Sequence, residues 1–265
     1  MRKLQGKGSR RLALATALGV LIAGVAAGAA SAGSSAEKFE IGNLVFEGGG
    51  KFSPKKLSKT KQTAIGLTVE GRLHTTDGTH PPALKEVVVE TDKNGAIDVK
   101  GYPTCRSSQL QSRDSKAAKA ACKSALIGTG TTDVAIAFAE SPDLLAHSEL
   151  LVFNGGVHGG VTTLYIHAYL TQPVPAAVVT TVKISKIHNG RYGTKAVATI
   201  PKIASGAGSV TSFSLKIDKK FTYKGRKMSV LTAKCPDGRL QAHASAKFAD
   251  GRSGSIEFVR PCTGV

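Results

Sequence analysis

From Lys38 onward, apolar and polar residues alternate with a period of two over short runs, separated by Gly, Pro, Asn, Asp and Ser. Successive side chains of a strand point to opposite faces, so this pattern predicts half-buried strands. Arg239–Phe248 is the clearest run. Leu240, Ala242, Ala244, Ala246 and Phe248 fall on one face, and Arg239, Gln241, His243, Ser245 and Lys247 on the other. Asp250-Gly251 then predicts a hairpin turn into Gly254–Phe258. Comparable runs at Ile41–Glu47, Gly66–His74, Lys85–Glu90, Thr131–Phe138, Thr162–Thr171, Ala177–Ile187 and Val210–Ile217 complete an all-β pattern. The expected fold is an antiparallel β-sandwich with a small helical, disulfide-closed insertion near residues 105–122. One domain over 33–265 is expected, with two packed halves meeting near Glu140–His147 as the alternative.

Helical periodicity is confined to Ser107–Lys123, and the cysteines limit what it can build. Cys105, Cys122, Cys235 and Cys262 are an even set. The local pairings Cys105 with Cys122 and Cys235 with Cys262 are favoured among three connectivities. One straight helix between the first two would hold its ends about 21 Å apart, whereas bridged Cα atoms lie about 5.5 Å apart. A break near Ser112-Arg113-Asp114 is therefore expected, with Asp114 or Ser112 capping a short second helix. The other bridge would clamp the open end of the Arg239–Phe258 hairpin.

Residues 1–32 read as a signal peptide: a basic start, an apolar run from Leu12 to about Gly28, and an A-x-A site at Ala30-Ser31-Ala32. Its removal takes Arg2, Lys3, Lys7, Arg10 and Arg11, which lowers the formal charge from +18 to +13. No membrane span is then expected, and the destination is the cell envelope or the extracellular medium. Such an excess favours anionic partners, a cell-wall polymer or polysaccharide before any specific nucleic acid. The Lys residues are spread along the chain, so a solvated basic surface is the plainer reading.

Chemistry-bearing motifs are few. Gly48–Gln62 reads as an exposed basic loop carrying Lys55, Lys56, Lys59 and Lys61. Its two S-x-x-K matches, at Ser53 and Ser58, lack the helix and companion motifs of penicillin-binding enzymes. Glu86, Glu90, Asp92, Asp133 and Glu140 read as solvent-facing or turn residues and offer no pair for glycoside cleavage. The seven histidines show no nucleophile context, and no cofactor or metal motif is present. In Thr163–Leu170, alternation places Tyr165, His167 and Tyr169 on one face, a candidate sugar-stacking stripe. Burial of both strand faces is the competing reading.

Several segments carry a further likeness: Gly101-Tyr102-Pro103-Thr104-Cys105, Ile127-Gly128-Thr129-Gly130, Phe153-Asn154-Gly155-Gly156, Cys235-Pro236 and Phe248-Ala249-Asp250-Gly251 before Cys262. In this order they resemble a group of exported actinobacterial proteins, over nearly the whole mature region. The resemblance implies an extracellular β-rich fold and transfers no activity to particular residues. The expectation is a non-enzymatic secreted or envelope protein that binds or organises extracellular material. A polysaccharide-active enzyme or a carbohydrate-binding module is the alternative.

Overall fold

Alternation is what the backbone obeys. The structure, a computed structural model, describes residues 36–265, and the expected signal peptide lies outside the described residues. Twelve strands form one sheet. They are β1 (Glu37–Ile41), β2 (Leu44–Ser53), β3 (Gly66–Thr75), β4 (Leu84–Asp92), β5 (Leu126–Phe138) and β6 (Ser141–His158). The rest are β7 (Val161–Leu170), β8 (Ala176–Asn189), β9 (Tyr192–Thr199), β10 (Gly208–Ile217), β11 (Arg239–Phe248) and β12 (Ser253–Pro261). Their spatial order is β1-β2-β3-β10-β5-β6-β7-β8-β9-β4-β11-β12, every neighbour antiparallel.

The sheet curls until β12 approaches β1, giving a nearly closed barrel. Residues from strands well apart in this order meet inside it. Leu215 and Ile217 of β10 share a cluster with Ala196 and Ala198 of β9, while Leu44 and Leu73 meet Ala246 and Phe248. Burying such aliphatic faces is the main favourable term of folding. Val99, Tyr102 and Val230 fill one end of this core, and Ile203 fills the other beside Leu170 and Ala146. Residues 139–140 form only a hairpin tip, and Glu140–His147 runs from it into β6.

The stretch expected as a basic loop is part strand. Gly48, Gly49 and Gly50 belong to β2 and pair with β3. Gly48 stands opposite Gly71, and both leave room for rings. A Cβ on Gly48 would lie 2.7 Å from the Phe46 ring, and one on Gly71 would lie 2.5 Å from the Phe213 ring. Beyond β2, Lys56–Leu57 pairs in parallel with Thr263–Gly264, and Leu57 is buried with Phe52, Ala233 and Cys235.

Both expected disulfides form: Cys105 with Cys122 and Cys235 with Cys262, with Cα separations of 5.6 and 6.1 Å. Between the first pair, a 3₁₀ turn at Ser107–Gln109 gives way to α1 (Ser115–Ala121). Ser112 takes φ +59°, and Asp114 caps α1 by accepting from the Ala117 amide at 2.7 Å. Leu110 and Ala118 then pack on Leu151 and Phe153, seating the insertion on the barrel's outer wall.

Candidate functional site

Strand period carries polar residues to the mouth of the barrel. β8 turns Val182 and Ile184 into the core, so two residues on, Lys186 faces the same way where the core has ended. Its partner across the ladder is Thr194, whose hydroxyl bonds that of Thr91. Thr162 pairs with Ile184 from β7. Together with Lys93, Gly95–Ile97, His188 and Tyr192 they enclose a groove of about 570 Å³, within the usual range for ligand pockets. Gly193 makes this closure possible: a Cβ there would lie 2.6 Å from the Lys93 backbone. Lys93, Lys186 and His188 line the groove, and no carboxylate does. Tyr192 donates to Glu257 at 2.6 Å, and burial, then that carboxylate, push its phenol up to about 12.

Because all twelve strands are antiparallel, every connection leaves one end of the barrel or the other. Connections at the mouth end (54–65, 93–125, 159–160, 190–191, 218–238 and the segment 262–265) hold eighteen Lys and Arg against four Asp and Glu. The far-end connections hold two against three, and the strands eleven against eleven. The excess of +13 is therefore that of one end: +14 there, −1 at the other and zero between. Basic residues spread along the sequence are thus gathered by topology. A charge asymmetry of this size steers anions to one pole.

The residues singled out from sequence fall in three places. Tyr165, His167 and Tyr169 do share a face, but it is not an open stripe. The insertion covers it: His167 is 0% exposed and its Nε2 donates to the Arg113 carbonyl at 2.9 Å. Tyr165 packs against the Cys105–Cys122 cluster. The inner face lies in the barrel, and on the outer face the insertion buries His167 while Tyr165 and Tyr169 are half-buried. Lys55, Lys56, Lys59 and Lys61 lie at the mouth end, where their segment is tied to the C-terminal residues. Lys55 sits 4.0 Å over the Phe52 ring, and burial, then Arg260's charge, lower its ammonium below the ordinary value. Cys105, Cys122, Cys235 and Cys262 are all in disulfides.

Two polar networks correct the reading of the acids and histidines. Asp92 is 2% exposed rather than solvent-facing. It accepts from Arg191 at 2.7 Å and from the Gln241 and Asn94 amides. His80 does stand between a serine and an aspartate, with Nε2 3.1 Å from Ser209 Oγ and Nδ1 2.7 Å from Asp143 Oδ2. Its polarity is wrong for nucleophilic catalysis. Ser209 donates its one proton to the Pro81 carbonyl at 2.6 Å, away from His80, whereas a triad serine donates to its histidine. Ser209 is also 1% exposed, so the cluster ties the 76–83 connection to the barrel. Among the described residues no group of three His, Cys, Asp or Glu side chains is placed to hold a metal, and no helix is long and apolar enough to cross a membrane. The chain matches no protein-family model, no curated protein and no solved structure.

Proposed function

We propose that the protein is an exported, non-enzymatic β-barrel that binds anionic extracellular polymer with its mouth end. The observation that carries this reading is the partition of charge, +14 in the mouth-end connections against −1 at the far end. A basic coat that served solubility alone has no need of one pole. The two disulfides support an oxidising compartment, where secreted proteins keep such bonds. An end-on basic surface suits a polymer with repeated charges, since several weak contacts engage together.

Titration of residues 33–265 with polygalacturonate tests the proposal. Affinity should fall by about tenfold between 50 and 300 mM salt as the charges are screened. Salt-insensitive binding, or none, would refute it. Release of shorter chains from the polymer would instead establish the alternative reading, a polysaccharide-active enzyme.

A further inference from the structure

We propose that the groove at the barrel mouth is a pocket for one oxyanion-bearing saccharide unit, its charge met by Lys93 and Lys186, with the His188 imidazole beside them, and its CH face laid against Ile184, Ile187 and Tyr192. The inference rests on the reading that the mouth end meets a polyanion, and adds a specific site to a general attraction.

Several features separate this groove from the rest of the basic end. Its walls come from segments far apart in sequence, 93–97, 160–162 and 184–194, so it is a product of the fold rather than of local composition. No carboxylate lines it, and among the described residues Lys93 and Lys186 have no ion-pair partner, whereas Lys119, Lys216 and Lys247 are each matched by an acid. Lys93 does bond a neutral group, the Gly190 carbonyl, at 3.4 Å, which holds its ammonium over the rim. The floor is apolar where a bare polyanion patch would be polar throughout. Ile184 is continuous with the core, and Tyr192 is fixed through Glu257. A sugar ring carrying a carboxylate or a phosphate presents both surfaces at once: CH groups on a face and an oxyanion on the rim. Gly160 and Gly190 take φ +79° and +55° at the turns beside it, and without side chains they keep the rim low enough for a longer chain to pass.

Calorimetric titration with trigalacturonate, glucose 6-phosphate and neutral maltotriose tests this. Binding of trigalacturonate assigns the oxyanion to a carboxylate and binding of glucose 6-phosphate to a phosphate, and either supports the site. Maltotriose should bind at least about tenfold more weakly, for want of a charge-assisted contact. Lys186→Ala, an exposed position, should weaken the charged ligand by roughly tenfold and Lys186→Arg much less, while Lys85→Ala/Lys202→Ala at the far end should change it less than about twofold. Polygalacturonate binding with neither small ligand bound, or equal binding of maltotriose, would overturn the pocket while leaving polymer binding intact. Loss of polymer binding by the unmodified protein would instead overturn the broader proposal.

Discussion

Glu37 and Arg260 face one another across the interval of the barrel wall that no backbone ladder spans, β1 on one side and β12 on the other. Arg260 Nη1 and Nη2 donate to Glu37 Oε1 and Oε2 at 2.5 and 2.7 Å, and Nε reaches the Gly50 carbonyl. Lower on the seam, Arg252 donates to Asn43 and the Ile41 carbonyl, and Phe39 and Ile41 cover Gly254. Side chains thus close what main-chain hydrogen bonds leave open, and so protect two sheet edges from pairing with other chains.

Removing this closure should cost stability in a pH-dependent way. Hydrogen bonds from Arg260, followed by its charge against an opposing push from burial, hold the Glu37 carboxyl below its ordinary value of 4.5. A depressed carboxyl adds stability above pH 4.5 and loses it as pH falls towards the folded value. Arg260→Ala should therefore lower unfolding free energy by about 1–3 kcal/mol at pH 7 and by less at pH 3. Urea unfolding at the two pH values checks this.

The glycine pair on β2 and β3 should not tolerate side chains. Gly71→Ala would drive a methyl into the Phe213 ring and should destabilise by about 1–3 kcal/mol through overpacking. Phe213→Leu in the same chain should recover part of that loss. A double-mutant cycle measured by thermal unfolding reads the coupling.

His167 makes a prediction about acid. Its Nε2 is bonded, but its Nδ1 is buried without a partner, and burial lowers its pKa from 6.5 despite the Arg113 carbonyl and the charges of Asp114 and Glu149. The neutral imidazole fits the folded protein, while the unfolded chain takes up a proton as pH falls below 6.5. Stability is then unaffected above that value and declines below it. The urea midpoint should drop between pH 7 and 5, and His167→Gln, neutral throughout, should flatten that part of the profile. A parallel decline in both proteins would contradict the assignment.

Ser209 separates a structural cluster from a catalytic one. Ser209→Ala should cost about 1–2 kcal/mol, because it strands the buried Pro81 carbonyl and one nitrogen of His80. A fluorophosphonate, which labels activated serines, should leave the unmodified protein unlabelled.

Local pattern carried much of the fold. Arg239–Phe248 was legible from alternation, and the geometry of a bridge from Cys105 to Cys122 required the break that Ser112 makes and Asp114 caps. What stayed hidden depends on distant partners. Gly48-Gly49-Gly50 has no hydropathic signature, and only its pairing with β3 makes it strand. His167 is covered by a segment about fifty residues upstream, so alternation placed its face without showing what lies over it. The Ser209, His80 and Asp143 cluster joins three connections or strands with no local motif. At the mouth, Lys93 and Lys186 are separated in sequence by three whole strands and most of a fourth, so only the closed sheet brings them to one groove. The charge pole follows only once strand direction assigns each connection to an end.

Charge reversal at opposite ends tests the central claim most directly. Lys93→Glu/Lys186→Glu at the mouth and Lys85→Glu/Lys202→Glu at the far end change net charge equally, and all four positions are exposed. Measured by titration with polygalacturonate at fixed salt, the mouth-end variant should bind at least about tenfold more weakly and the far-end variant within about twofold of the parent. Equal losses in the two variants would show that the basic surface acts as a whole and that the barrel has no binding end.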